Sequence, residues 1–315
     1  MKKIALILLS ALTFASCEKL TEGVVHVVEF PQRDPVISAT LIASNADSLI
    51  HAYVTSTASV LDSAGPQVIQ DAVITLEDSD GNVLHSFTSE NEVDTVYVLN
   101  IGEDLGQLEG EVTLKVTAPD FDDVESTTTM PSSFTAAIEY TPNADTVMMW
   151  GLQMIQDQYI VHLENTSNLN ESYILEFEGR YFDEFSGEET EWVSIYAQSK
   201  PDPRVAEVSF FGDNFWVNRM LVSDETVPNS STGLHDLFFL TENFSGIEGG
   251  MQLIEARVRI HSISDELERY YRNVSQFMEN EFSFFAEPML MYSNVSSGFG
   301  CFGLASEQVF GVDID

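Results

Sequence analysis

Ala72-Val73-Ile74-Thr75-Leu76-Glu77-Asp78-Ser79-Asp80-Gly81-Asn82 is the stretch that decides the fold class. Its first six residues carry the clearest apolar–polar alternation in the chain, the period of a half-buried strand. A turn-forming run follows, and then a second strand-like run from Val83 to Phe87. The unit reads as a β-hairpin with its turn at Asp80-Gly81. The oxygens of residues 78–82 invite a calcium reading, but the glutamate that closes a calcium loop is missing at the required spacing, so the turn reading is preferred.

Outward from this hairpin, short β-branched runs repeat between turn residues: Ser38 to Leu41, Ile50 to Thr55, Val93 to Leu99 and Val112 to Val116. Such spacing predicts an immunoglobulin-like β-sandwich over residues 36–134. Met130-Pro131-Ser132-Ser133 breaks the pattern and places a boundary near residue 135. Beyond it lie further strand-like runs: Gln158 to Glu164, Tyr173 to Phe182, Glu191 to Ala197, Val205 to Phe211, Leu234 to Leu240 and Met251 to His261. Residues 135–315 are therefore expected to form a larger β-rich domain, and the chain as a whole to be mainly all-β.

One segment departs from this pattern. Ser264-Asp265-Glu266 starts like a capped helix with acids in its first turn, and Leu267, Tyr270, Tyr271, Val274 and Phe277 follow at helical spacing. An amphipathic helix is predicted over about 264–278, its stripe packed on the second sheet. Arg269 and Arg272 are expected to pair with nearby carboxylates.

The N-terminus has the layout of a lipoprotein signal over residues 1–16. Lys2 and Lys3 begin it, Ile4 to Phe14 form an apolar run too short to span a bilayer, and Ala15-Ser16 precede Cys17. Cys17 is thus the expected lipidation site, with residues 17–35 as lipidated N-terminus and tether. Two or three acyl chains hold such a protein on a membrane, each methylene contributing about 0.8 kcal/mol.

With Cys17 lipidated, Cys301 has no disulfide partner. Its apolar, glycine-rich setting reads as a buried thiol. Without disulfides the fold must rest on its core, and 44% apolar composition over this length supplies one or two domains. Removing Lys2 and Lys3 leaves 11 basic against 51 acidic residues, and 11 minus 51 is −40. A field of that sign repels nucleic acid.

No constellation of catalytic type emerges. The histidines, His26, His51, His85, His162, His235 and His261, are scattered, with no zinc-type spacing, no nucleophile elbow and no phosphate loop. Neighbouring acids such as Asp183-Glu184 are not two carboxylates opposed across a cleft. The expectation is therefore a non-enzyme without metal or cofactor. Binding is the stronger class, and Phe211, Phe215 and Trp216, in an aromatic run from Phe210 to Trp216, are the candidate ligand-binding residues. The preferred reading of this run is structural, with Phe210 and Phe215 in the core and Trp216 covering an edge. Tyr181 to Gly187 is a second candidate, a hairpin tip with aromatics.

The lipobox, the 70–81 hairpin and above all the C-terminal third carry a family resemblance. Ile260-His261-Ser262-Ile263-Ser264, the helix with Tyr270-Tyr271, Phe285-Ala286-Glu287-Pro288, and Tyr292 through Gly303 follow one another in an order that resembles Bacteroidota lipoproteins sharing domain of unknown function 4249. The resemblance implies an outer-membrane lipoprotein, surface-exposed in keeping with Glu18 and Glu22 just after the cysteine. It also implies an accessory or binding subunit of a TonB-dependent transporter. The alternative is a stand-alone glycan- or peptide-binding, adhesive surface lipoprotein. No catalytic residue carries over. Asp-Ser/Thr triplets at Ser48, Ser63, Thr95 and Thr146 resemble the O-glycosylation acceptors of such exported proteins.

Overall fold

A computed structural model describes residues 34–47, 49–58, 65–87, 96–100, 108–149, 152–164, 171–209, 218–223, 234–243, 251–281 and 290–314. Their strands run β1 (Ile37–Ser44), β2 (Leu49–Ser56), β3 (Gln67–Val68), β4 (Val73–Asp78), β5 (Val83–Phe87), β6 (Val96–Asn100), β7 (Glu111–Thr117), β8 (Val124–Thr129), β9 (Thr135–Met149) and β10 (Leu152–Glu164). There follow β11 (Ser172–Asp183), β12 (Glu188–Glu189), β13 (Val193–Ser194), β14 (Ala197–Ser199), β15 (Val205–Ser209), β16 (Asn218–Ser223), β17 (Leu234–Asn243), β18 (Met251–Ile263), helix α1 (Asp265–Glu281) and β19 (Phe302–Val312). The protein is mostly β, as its sequence predicts.

The 72–87 hairpin forms as read. β4 pairs antiparallel with β5, with Ile74 opposite Phe87. Ile74 and Leu76 are fully buried while Val73 between the turns is 53% exposed. At the turn, Asp78 Oδ1 accepts the N–H groups of Asp80 (2.9 Å) and Asn82 (2.8 Å), and Oδ2 accepts the Asn82 side-chain amide (2.9 Å). The carboxylate that a calcium ion would need is thus spent on the turn, and these bonds hold it below the usual range. The sheet β5-β4-β7-β8 packs its inner residues Ile74, Leu76, Val112, Leu114 and Val116 with Ile37, Leu41, Ile50 and Val54 of β1 and β2 in one core. Each such side chain contributes about 1.5–3 kcal/mol on burial.

A second core lies under the sheet β14-β17-β10-β9, where Tyr159, Val161, Leu237 and Phe239 meet Leu175, Phe177, Val258 and Ile260 of β11 and β18. Edge-on and tilted ring contacts run Tyr140–Tyr159–Phe177–Phe239 with centroids 5.0–5.2 Å apart. The β9–β10 ladder shifts register between Gln156 and Gln158. The shift buries Asp157, which accepts the Tyr140 hydroxyl (2.7 Å) and the Asn143 N–H (2.9 Å).

Residues 36–134 and 135–315 contribute strands to one shared sheet. From Pro35 onward the chain is one compact unit. The reason is the return of the C-terminus: β19 pairs antiparallel with β18 and parallel with β1, so one sheet runs β15-β16-β11-β18-β19-β1-β2-β3 through both lobes. Phe302 and Leu304 complete the first core, while Phe310 and Val312 pack on the second. The boundary expected near residue 135 falls between the two cores, and the sheet they share joins strands more than 250 residues apart, a pairing that leaves no local mark in the sequence.

Just before β19, the chain already runs along β1. The N–H groups of Ala39 and Leu41 donate to the carbonyls of Phe299 (2.8 Å) and Cys301 (2.9 Å), and Phe299 N–H donates to Ile37 (3.0 Å). Two glycines permit the approach. A Cβ on Gly298 would sit 2.5 Å from the Ile37 carbonyl oxygen, and one on Gly300, at φ +123°, would run into that of Ala39. Asn294 brackets the loop, donating to the Phe302 carbonyl (2.8 Å) and accepting its N–H (3.0 Å). Ser296 ties the same segment to Glu125 of β8. Cys301 is fully buried, and burial pushes its thiol up to about 12, so it packs rather than reacts.

The helix is longer than predicted, reaching Glu281, and Leu267 packs with Ile174, Leu221, Ile263 and Ala305 in a third small cluster on the opposite face of the shared sheet. Ser264 does not cap it with its hydroxyl: its Oγ accepts Leu304 N–H (3.3 Å), joining the helix start to β19. The acids Asp265, Glu266 and Glu268 occupy the first turn, where the helix dipole favours them.

Gly300→Ala is expected to cost about 2–4 kcal/mol through strain and displacement of β1. Urea unfolding measures it, and a loss below about 1 kcal/mol would mean that the close approach carries little of the stability.

Candidate interaction surfaces

Strand periodicity builds the first surface. On β11 and β18 the residues facing away from the second core are Glu176, Glu178, Arg180 and Glu255, Arg257, Arg259, His261, in a register that sets Glu178 opposite Arg257 and Arg180 opposite Glu255. β16 adds Arg219 and β19 adds Glu307. The ion pairs interlock: Arg257 Nε–Glu178 (2.5 Å), Arg219 Nε–Glu176 (2.5 Å), Arg259 Nη1–Glu307 (2.7 Å) and Arg180 Nη1–Glu255 (2.9 Å). The Arg257 guanidinium lies 3.9 Å from the centroid of Trp192, a cation–π contact that makes Trp192 part of the ladder. Side chains of Glu307 and Glu176 are only 9% and 12% exposed, so removing one partner would strand a desolvated charge.

His261 stands inside this ladder, its nitrogens 3.7 Å from Glu176 and 3.6 Å from Glu307. Burial, and then the guanidiniums of Arg219 and Arg259, push its pKa down to about 3. Desolvation and two cations outweigh two glutamates at that range, and the imidazole is neutral. Burial raises Glu307 and Asp47. A small cavity of about 130 Å³ adjoins them, walled by Asp47, Glu176, Arg219, His261 and Tyr271.

Helix α1 separates two larger hollows. On one side a cavity of about 560 Å³ opens between the 129–132 seam and the helix start, with Glu171, Asp265, Glu266 and Glu268 in its wall. Its acids are engaged: Glu171 accepts the Ser132 and Tyr173 hydroxyls (2.5 Å each), and Glu266 accepts that of Thr128 (2.7 Å). On the other side a groove of about 650 Å³ is walled by Arg269 and Arg272 of the helix and by Leu290, Met291, Tyr292 and Phe299. Asn273 fixes its far wall, accepting Tyr292 N–H (2.6 Å) and donating to the Leu290 carbonyl (3.4 Å). Leu290 is 83% and Phe299 47% exposed. Arg272 pairs with Glu268, as expected for that residue.

Of the residues singled out from sequence, Cys17, Ser48, Ser63, Thr95, Phe211, Phe215 and Trp216 lie outside the described residues. Thr146 is exposed on β9, its N–H accepted by Asp145 (2.7 Å). The 181–187 segment is a hairpin tip between β11 and β12, with Tyr181 buried and Phe185 84% exposed. Asp183 accepts Phe185 N–H (2.8 Å) and the Ser186 hydroxyl (2.9 Å), bonds that hold its carboxyl below the usual range, so this acid builds the turn. His162 lies between Asp236 (2.7 Å) and Glu139 (3.3 Å), and the hydrogen bond to Asp236 raises its pKa. Among the described residues no group of three or more His, Cys, Asp or Glu has the arrangement to hold a metal ion. Sequence reading missed the α1 groove, whose one linear signal is a pair of arginines three apart in a chain of net charge −38.

These features define a class: a mainly β protein of two sandwich lobes on one shared sheet, with an ion-pair ladder on one face and an apolar groove beside its helix. The chain belongs to the family described as domain of unknown function (DUF4249), whose model matches residues 28–310. No curated protein matches the chain. Among the described residues no helix is long and apolar enough to cross a membrane.

A neutral buried His261 stabilises the fold fully above its ordinary pKa of 6.5, and that contribution falls as pH drops toward 3, because the unfolded chain then binds the extra proton. Between pH 7.5 and 5 it accounts for at most about 2 kcal/mol. Denaturant titrations at the two pH values should show a smaller loss in His261→Gln than in the wild type. An unchanged loss would mean that His261 titrates normally.

Proposed function

We propose that the protein is an outer-membrane lipoprotein, anchored through Cys17 and exposed at the cell surface, that serves as a non-catalytic binding or accessory subunit of a TonB-dependent transporter. The observation that carries this reading is the run from Lys2-Lys3 through the short apolar segment to Phe14-Ala15-Ser16-Cys17, which has the charge, length and small-residue order of a lipoprotein signal. The accessory role is what the resemblance to lipoproteins of this family implies, an argument by association. The exposed apolar side chains beside α1 and at the 181–187 tip suit a protein that works by contact. The surplus of acids favours a place outside the cell, where a protein must stay soluble and free of nucleic acid.

Phe185, 84% exposed on a hydrogen-bonded turn, favours a second reading in which the molecule binds glycan or peptide by itself. A gentle-detergent pull-down of the tagged, lipidated chain from its native outer membrane separates the two. The accessory role predicts one abundant TonB-dependent barrel near equal stoichiometry, and Cys17→Ser should abolish both lipid labelling and co-purification. Recovery of the lipoprotein with barrels no more abundant than in a mock purification would overturn the accessory role.

A further inference from the structure

We infer that the groove between helix α1 and residues 290–299 is a docking site for a peptide segment of a protein partner, one that presents apolar side chains flanked by Asp or Glu. The inference rests on the reading of the molecule as a binding subunit and names the surface and the chemistry of the contact.

Charge carries the argument. The chain has a net charge of −38, and the cavity across the helix has Glu171, Asp265, Glu266 and Glu268 in its wall, with Arg269 lining both hollows. The groove reverses that balance: its described lining contains Arg269 and Arg272 and no acid. Arg272 is held by Glu268 on the helix, so its guanidinium is positioned rather than wandering, and Arg269 shares the groove wall with Tyr292. An acidic partner gains from this patch and is repelled by the surrounding surface, which fixes where it lands.

The apolar part is exposed and rigid at once. Leu290 is 83%, Phe299 47% and Met291 38% exposed, and Phe277, one turn beyond Asn273 on the helix, is 39% exposed. The main chain that bears these side chains is held by hydrogen bonds. Asn273 pins the chain at Leu290 and Tyr292, and Phe299 is fixed by its two hydrogen bonds to β1. The walls are therefore set before any partner arrives, which lowers the ordering cost of binding. A volume of about 650 Å³ accommodates a few apolar side chains, the scale of a helix or strand segment seated in a groove.

The test places a photo-crosslinking residue, p-benzoylphenylalanine, at Leu290 of the full lipidated chain in its native membrane, with Val83 of β5 as the exposed control position. Crosslinked peptides are sequenced by mass spectrometry. The expected result is a crosslink at Leu290 at least tenfold above Val83, mapping to a partner segment with apolar and acidic residues, reduced at least fivefold by Arg269→Glu and retained by Arg269→Lys. Both variants should keep the wild-type melting temperature, since Arg269 is exposed. A partner other than a transporter supports the groove while removing the transporter role. A co-purified barrel without a Leu290 crosslink overturns the groove and leaves that role standing. Crosslinks to lipid, to a second copy, or to a basic segment overturn it too.

Discussion

Both lobes depend on the parallel run of residues 299–305 along β1. Strand β1 is the edge on which the first sandwich closes, and the returning chain caps that edge with backbone hydrogen bonds before turning β19 against β18. An uncapped β1 would present unpaired N–H and C=O groups and lack Phe302 and Leu304 in its core. The glycines, asparagine and serines that recur in this stretch are thus explained by geometry. Gly298 and Gly300 let two backbones touch, Asn294 imitates a strand partner, and Ser296 stitches the segment to β8.

The second constraint is electrostatic. With 51 acids and 13 bases, the chain has few cations to distribute, and it concentrates Arg180, Arg219, Arg257 and Arg259 on one face of the shared sheet. Across strands these arginines alternate with glutamates, turning what would be repulsion between β11, β18 and β19 into an interlocked ladder. The cost is desolvation, visible in the depressed pKa of His261 and the raised one of Glu307. The helix then closes the apolar end of the same face, and its own two arginines are left to line the groove that carries the docking inference.

Legibility in the sequence followed interaction range. The 72–87 hairpin was readable because Ile74, Leu76, Asp80 and Gly81 encode strand and turn within a dozen residues, and α1 because Leu267, Tyr270 and Tyr271 repeat at helical spacing. The burial of Cys301 was readable from its neighbours. The union of β1 with β19 was not, because residues 41 and 302 become partners through topology alone. The groove was hidden for the same reason: Arg269 and Phe299, thirty positions apart, line it together only in the folded chain. Of the residues singled out for lipidation, ligand contact or glycosylation, Thr146 lies among the described residues, and its exposure was legible from the polar run around it.

The claim that the C-terminal return makes one folding unit of two lobes is tested most directly by producing residues 36–134 alone. The account predicts a chain without a cooperative urea transition, since β1 has lost its partner strand and the first core has lost Phe302 and Leu304. A soluble fragment that unfolds cooperatively, with β-type circular dichroism and a midpoint near that of the full protein, would contradict it.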